Sequence, residues 1–370
     1  MKNRPDFLDH FNDLKDPRCH INLLHSVDEI LLLTFTAIIC GCEGFHDIEL
    51  FGKGKVTFLQ QFLPYKHGTA SNDTIRRFFT AVDPDQFQRL FINWMQHFKL
   101  DLKDKVIAID GKTSRRSFDS PNKPLHLVSA FVSQARIVLG QQATAQKSNE
   151  ITAIPQLLDL LDIKGGIITI DAMGCQKKIA EKIIEKEGEY ILALKANQSN
   201  LLKDVEKKFK ENSCSKELKV SMTIDNKHGR NEIRKILVNE SIDDLRENHD
   251  WVGLKSIIAV YSKTRRKDKI SSEIRYYISS LSNVVPEKLL NKIRDHWAIE
   301  NSLHWILDMS YEDDQCRIRK GNAAKNMAIL RHISLNILQK EKKKYESIKG
   351  LRKFAGWHEP KLKQILLQNT

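Results

Sequence analysis

The hydrophobic positions of this chain change period near residue 100, and that change divides it. Before it, the pattern is helical. Ser26-Val27-Asp28-Glu29 offers an N-cap with a glutamate three residues later, opening the apolar run from Ile30 to Cys40. Asp83-Pro84 opens another helix, on which Phe87, Leu90, Phe91, Trp94, Met95 and Phe98 recur at helical spacing. Between them, GTASNDTIRRFF carries a capping Ser71 and the pair Arg76 and Arg77. Two readings of this region stand side by side: a helix-turn-helix that meets DNA through those arginines, or a small bundle packed on the next domain.

Beyond residue 100 strands alternate with helices. Val106 to Asp110 is a short apolar strand ending in an acid. Leu125 to Ser133 and Ile137 to Gln141 follow as strands joined by a tight turn, then a helix from about Ile151 to Leu161 with Pro155 in its first turn. Ile167 to Asp171 is again an apolar strand ending in an acid, Gln176 to Lys186 a helix and Tyr190 to Leu194 a strand. An antiparallel meander joined to βαβ crossovers predicts an α/β (α+β) mixed sheet with helices on its faces, in the order of the ribonuclease H fold. Residues 200 to 283 interrupt that order with a basic helix and the strand-like pieces KVSMTI, IRKILV, LKSIIAVYS and IRYYISSL, a β-rich insertion. Long helices from Pro286 to Leu307 and Ala323 to Leu338 then lead to a basic tail. The expected organisation is a helical, DNA-binding domain over 1–100, a catalytic core over 101–340 with its insertion, and a tail over 341–370.

Charge sharpens this picture. The 370 residues hold 60 Lys and Arg against 47 Asp and Glu, a formal net charge of +13. Such a surplus suits a polyanion, because each neutralised phosphate releases a condensed counterion. It is locally dense in KTRRKDK, where Lys263, Arg265, Arg266, Lys267 and Lys269 oppose Asp268, and after Lys340. The six cysteines are scattered without a CxxC pair, so neither a zinc site nor a disulfide framework is indicated. The apolar run at Ile30 falls well short of the roughly 20 residues a membrane helix needs, and the N-terminus has no apolar signal core. A cytoplasmic bacterial protein, at the nucleoid when bound to DNA, is the expectation.

The chemistry lies in the acids. Asp110 and Asp171 each terminate four apolar residues, and strand ends in an open sheet face the crevice where ligands bind. Two carboxylates there repel unless a cation sits between them, and hard oxygen ligands suit Mg²⁺ or Mn²⁺. An Asp after a strand also simply begins turns, so each alone says little. A third acid, Glu300, lies in KIRDHWAIENSLHWILDM on the stripe marked by Leu289, Ile293, Trp297 and Leu303. A carboxylate facing a core is costly unless it is paired or holds metal. His296 and His304, four residues to either side, are possible partners, although the HExxH spacing of zinc proteases is absent.

The segments IAIDGKTSRRS, IITIDAMGCQKKIAEKIIEKEGEYILALKANQ, HGRNEIR and RDHWAIENSLHWILDMSYEDDQCRIRKGNAAKNMAILRH resemble the insertion-sequence transposases of the ISAs type. These H-repeat-associated proteins belong to the Asp-Asp-Glu transposase group, and the likeness runs through nearly the whole chain. It implies a ribonuclease H-like core with a β-rich insertion before the glutamate, and carries the catalytic, metal-holding triad onto Asp110, Asp171 and Glu300. It further implies cleavage of element ends and joining of the 3′-hydroxyls to target DNA by two-metal-ion phosphoryl transfer, with two Mg²⁺ or Mn²⁺ ions. The partners implied are double-stranded DNA and, to bring two ends together, a second protomer or more. Tyr, Arg and Lys flank the glutamate in the wider group, whereas Ile293, His296 and Leu307 stand at those positions here. Phosphate contacts then fall to other residues, with His296, Arg317, Arg319, Lys320, Lys112, Arg230, Arg265, Arg266 and Lys267 as candidates beside Arg76 and Arg77. Asp308, Glu312 and Asp313 are the alternative third ligands. The competing functions are an inactive or domesticated DNA-binding regulator, and a metal-dependent nuclease without strand transfer.

Overall fold

The computed structural model describes residues 4–19, 21, 23–118, 124–144, 150–211, 218–227, 230–266 and 269–367. Ser26 accepts the Glu29 backbone N–H while the Glu29 carboxylate accepts that of Ser26, and this capping box opens α1 (Val27–Ile39). Every residue of α1 from Glu29 onward is buried, as expected of a helix enclosed by others rather than lying on a surface. Around it stand α2 (Phe45–Leu59), α3 (Asn72–Ala81, capped by Ser71) and α4 (Pro84–Gln96, opened by Asp83). These helices form a bundle, and its core continues into the C-terminal half of the chain.

The sheet is built outward from β1 (Val106–Thr113). On one side β2 (His126–Val132) and β3 (Ile137–Thr144) pair antiparallel, turning through Arg136 at φ 57°. After α5 (Glu150–Leu160), β4 (Ile167–Ile170) pairs parallel with β1; after α6 (Lys177–Glu185), β5 (Glu189–Leu194) pairs parallel with β4. Side chains alternate between the faces: Ile107 and Ile109 join the core under α5 and α6, and Ala108 joins the N-terminal bundle. Five strands in the order β3-β2-β1-β4-β5, three of them an antiparallel meander, make the sheet ribonuclease H-like.

The β-rich insertion is present but is not a separate body. After α7 (Ser199–Glu211) come β6 (Lys219–Lys227), β7 (Arg230–Asn239), the short α8 (Asp243–His249), β8 (Ser256–Arg266) and β9 (Lys269–Ser279). β9 pairs with β5, so the insertion extends the catalytic sheet to nine strands, ending at β6. Next, α9 (Pro286–Asp295) packs on the face formed by Ile191, Ile236, Ile258 and Tyr277. A π turn (Glu300–His304), α10 (Trp305–Ser310) and α11 (Ala323–Glu341) follow.

Residues 341–370, expected as a basic tail, instead contain α12 (Ile348–Trp357) and α13 (Glu359–Leu366). Their apolar positions, among them Leu351, Ala355, Leu362 and Ile365, join the core around α1. Arg352 is itself buried, bonded to the Ile38 carbonyl, paired with Glu43 at 2.9 Å and stacked 3.9 Å over the Tyr311 ring. Counting charges hid an amphipathic pattern. Among the described residues, no helix is long and apolar enough to cross a membrane, and the described cysteines are free.

Candidate active site

The parallel register of β1 and β4 runs to the pair Ile109 and Ile170, so the next residue on each strand is an aspartate. Asp171 thus follows the end of β4, and Asp110 lies beside it at the point where β1 parts from β4 and runs on to Thr113 against β2 alone. Asp171 also caps the turn that follows, its Oδ1 accepting the backbone N–H of Met173 at 3.0 Å and of Gly174 at 3.4 Å.

Glu300 opens the π turn between α9 and α10. Single π turns widen a helix by one residue and are frequent at functional sites. Together with the break after Asp295, this one moves the buried stripe onto Ile293, Ile299, Leu303 and Leu307. Trp297 and Glu300, expected on that stripe, are exposed and line a cavity of about 420 Å³ together with Asp171, His296, Lys195 and Arg275. Glu300 therefore faces the cleft, not the core.

Asp110 registers its neighbours. Burial first, then the charges of Asp171, Glu150 and Glu300, push its carboxyl from 3.8 up to about 7, against the lowering effect of the Gly111 N–H. A buried carboxyl raised by neighbouring acids suits a hard cation, which would relieve both the repulsion and the burial cost. His304 Nδ1 lies 3.6 Å from Asp110 Oδ2, and burial holds the His304 pKa down to about 3, so the imidazole is neutral. His296 Nδ1 meets Thr169 Oγ1 at 2.9 Å, and its pKa is lowered by burial. Among the described residues, His296, Glu300 and His304 do not bring their ligand atoms close enough together to form a His-Glu-His zinc arrangement.

Two residues escaped the sequence reading. Glu150, at the start of α5, is buried, and its Oε1 takes a 2.6 Å hydrogen bond from His126 Nε2. His126 Nδ1 in turn lies 2.7 Å from Thr113 Oγ1. This pair presses on Gly111, beside Asp110: a Cβ there would stand 2.3 Å from Glu150 Oε1 and 2.6 Å from His126 Nε2. The available signal was the glycine directly after the first acid, which marks a close approach.

Lys112 is not free to meet a phosphate. Its side chain is 9% exposed, and its ammonium lies 2.6 Å from Asp308, 3.2 Å from Asp314 and 3.5 Å from Asp313. Burial opposes its charge, yet these aspartates raise its pKa. They also form the carboxylate group that, among the described residues, is compact enough to hold a metal ion, and the Lys112 ammonium lies among them. Asp313 is bonded further to Ser114 at 2.6 Å and to Arg331 at 2.8 Å. Asp308 and Asp313 are thus taken up as alternative third ligands, and Glu312 is exposed in a left-handed turn at φ 49°.

Arg77, Arg265, Arg266, Arg317 and Lys320 are exposed, and Arg76 pairs with Asp73 at 2.6 Å. Arg319 donates to the Arg116 carbonyl at 2.9 Å, beneath Phe118. Arg230 stands opposite Arg266 in the β7–β8 register, and Lys267 lies outside the described residues.

A ribonuclease H-like sheet with acids where its two central strands part defines a class of proteins that act on nucleic-acid phosphodiesters. Residues 101–337 match the model of the transposase DDE domain, and residues 8–95 match that of the DDE_Tnp_1-associated region. The chain belongs to the DDE-domain transposase family. It is 43% identical over 343 residues to the Escherichia coli K12 protein named "H repeat-associated putative transposase YhhI", covering 90% of each chain. It is 39% identical over 366 residues to "Putative transposase YncI" of Escherichia coli O157:H7, covering 97% of this chain and 94% of that one. A solved piggyBac transposase synaptic complex with hairpin DNA aligns over 98% of this chain and 78% of that one, at 12% identity and a TM-score of 0.43.

Proposed function

We propose that this chain is an active DNA transposase that cleaves the ends of an insertion sequence and joins the freed 3′-hydroxyls to target DNA. Asp110, Asp171 and Glu300 would hold two divalent cations, Mg²⁺ or Mn²⁺. The observation that carries this reading is the Asp110 carboxyl, placed beside Asp171 and pushed up to about 7 by burial and by the other acids. When bound, such a pair of cations stabilises the charge that builds up in an in-line phosphoryl transfer.

The chain's own residues supply the rest. Lys195 and Arg275 put positive charge on the cavity wall that Asp171 and Glu300 share, where a phosphodiester backbone would lie. Arg275 is steadied by Glu273 at 2.8 Å and by the Trp297 face at 5.2 Å, leaving its planar cation at the cleft. His304, held neutral, can donate a hydrogen bond toward Asp110 without adding charge. Further out, Arg265, Arg266 and Lys267 meet duplex phosphates without reading sequence, and two protomers bring two element ends together.

The test is to incubate the purified protein with its element's terminal DNA and Mg²⁺ and to map both strands of the products. Nicks at the element end followed by joined product support the reading; cleavage without joining would make this a nuclease. Cutting that survives Asp110→Asn, or that persists after exhaustive chelation, would sink it.

A further inference from the structure

The two edges of the nine-stranded sheet are treated differently. At β3 the outward backbone groups are covered: Asn336 accepts the Val138 N–H at 2.9 Å and donates to the Val138 carbonyl at 2.8 Å, and Gln88 reaches the Gln141 carbonyl. At β6, the other edge, no side chain among the described residues takes up the outward backbone groups. The strand's alternation is also inverted. Val220, Met222 and Ile224 are 50%, 61% and 60% exposed, while Lys219, Ser221, Thr223 and Asp225 turn toward the α9 side. Sheets protect open edges with charges, prolines, bulges or a cover, and an open edge with an apolar outer face is a template for another strand.

We propose that β6 pairs antiparallel with β6 of a second copy of this chain, about a twofold axis through Met222, joining the two sheets edge to edge. The sequence of β6 suits self-pairing in this register. Antiparallel pairing about Met222 sets Val220 opposite Ile224 of the partner subunit and Ser221 opposite Thr223 of the partner subunit. It also sets Lys219 opposite Asp225 of the partner subunit, twice by symmetry, so apolar meets apolar and cation meets anion. Moving the axis to Thr223 would oppose Lys219 with Lys227 of the partner subunit, and like charges directly opposite are destabilising. Lys219 and Asp225 are part-exposed on the same face, each already paired within its own chain, with Glu240 at 2.8 Å and Arg294 at 3.5 Å, so the partner's opposite charge would join an existing pair. An isologous contact of this kind closes at two copies and leaves no edge to propagate.

This contact is independent of the cleavage reading, because it is measured on the full chain without DNA or metal. Sedimentation equilibrium should show a concentration-dependent dimer. Met222→Lys places two ammonium groups together at the axis, and Asp225→Lys opposes Lys219 with a like charge. Each should weaken dimerisation about tenfold or more, since the twofold axis counts every change twice. The double variant Lys219→Asp/Asp225→Lys should restore it. Met222 is solvent-exposed in the single chain, so Met222→Lys should keep the wild-type circular dichroism and melting temperature. Met222→Cys should form an intermolecular disulfide on mild oxidation, at a yield the wild-type cysteines do not reach. A wild-type chain that stays monomeric, or a dimer unmoved by Met222→Lys and Asp225→Lys, overturns the proposal. Loss in the single variants without rescue in the double overturns the register.

Discussion

Gly111→Ala is the smallest change that should reach the active centre, and its cost can be worked from contacts. The added methyl would lie 2.3 Å from Glu150 Oε1, 2.6 Å from His126 Nε2 and 2.7 Å from Glu150 Cδ. An unstrained carbon contact is about 3.5–4.0 Å. One partner must therefore move by more than an ångström, and both are buried. Overpacking of this kind costs about 1–3 kcal/mol. Breaking the 2.6 Å Glu150–His126 bond adds on the order of 1.5–3 kcal/mol if the carboxylate finds no other donor. The two costs are alternatives in part, so about 2–4 kcal/mol is expected, which is roughly a 3–5 °C fall in melting temperature for a chain of this size. Scanning calorimetry of Gly111→Ala, Glu150→Ala and the double variant checks it. Removing Glu150 should cost clearly less in the alanine background than in wild type, because it empties the space the methyl needs. An unchanged melting temperature in Gly111→Ala, or strictly additive effects in the double variant, would refute the argument.

Three further outcomes follow from the proposed site. Asp110→Asn, Asp171→Asn and Glu300→Gln should each abolish end cleavage while leaving electrophoretic end binding near wild type, whereas Glu312→Gln should cut normally; the reverse pattern would move the third ligand. Asp110 is raised from 3.8 to about 7, so the stability its protonated form contributes is complete below pH 3.8 and lost as pH rises through about 7. Mn²⁺ affinity by calorimetry should therefore rise up to about pH 7 with proton release, a dependence that Asp110→Asn should flatten. Replacing Arg265, Arg266 and Lys267 by Ala should reduce the slope of log affinity against log salt by roughly two to three units, equally for specific and random DNA. A slope that does not change would mean those side chains face only solvent.

The fold was legible wherever burial follows a regular period. The box at Ser26, the cap at Asp83 and the two apolar strands carrying Asp110 and preceding Asp171 depend on neighbours in sequence, and the structure has them, although β1 runs on past Asp110 to Thr113. The insertion's strands were legible too, but their attachment was not: that β9 pairs with β5 is a contact between residues some 85 positions apart, such as Ile191 and Ser279. The C-terminal helices were hidden for a different reason. Nine Lys and Arg against three Glu from Lys340 onward read as a solvated run. Yet Leu351, Ala355, Leu362 and Ile365 fall at helical spacing among those charges, and burial follows spacing rather than composition.

The candidate acids were legible in the sequence, whereas their surroundings were not. Asp110 and Asp171 needed only a strand pattern, and Glu300 a motif, although a continuous 3.6-residue period placed Glu300 against the core. The break after Asp295, followed by the π turn, shifts the buried stripe to Ile299 and Leu303 and turns Glu300 to the cleft, and no glycine or proline announces either. Lys112 illustrates the harder case. Two residues from an active-site acid in a basic protein, it reads as a phosphate ligand, and only the fold brings Asp308, Asp313 and Asp314, some 200 positions later, around its ammonium. Glu150 and His126 reach Asp110 the same way, from a helix and a strand whose packing brings them against Gly111. Charge that is consumed inside the protein cannot be told from charge offered to DNA by counting residues. It can be told by burial: Lys112, 9% exposed among three aspartates, spends its charge inside the protein, whereas Arg265 and Arg266 stay exposed, as the proposed DNA contact requires.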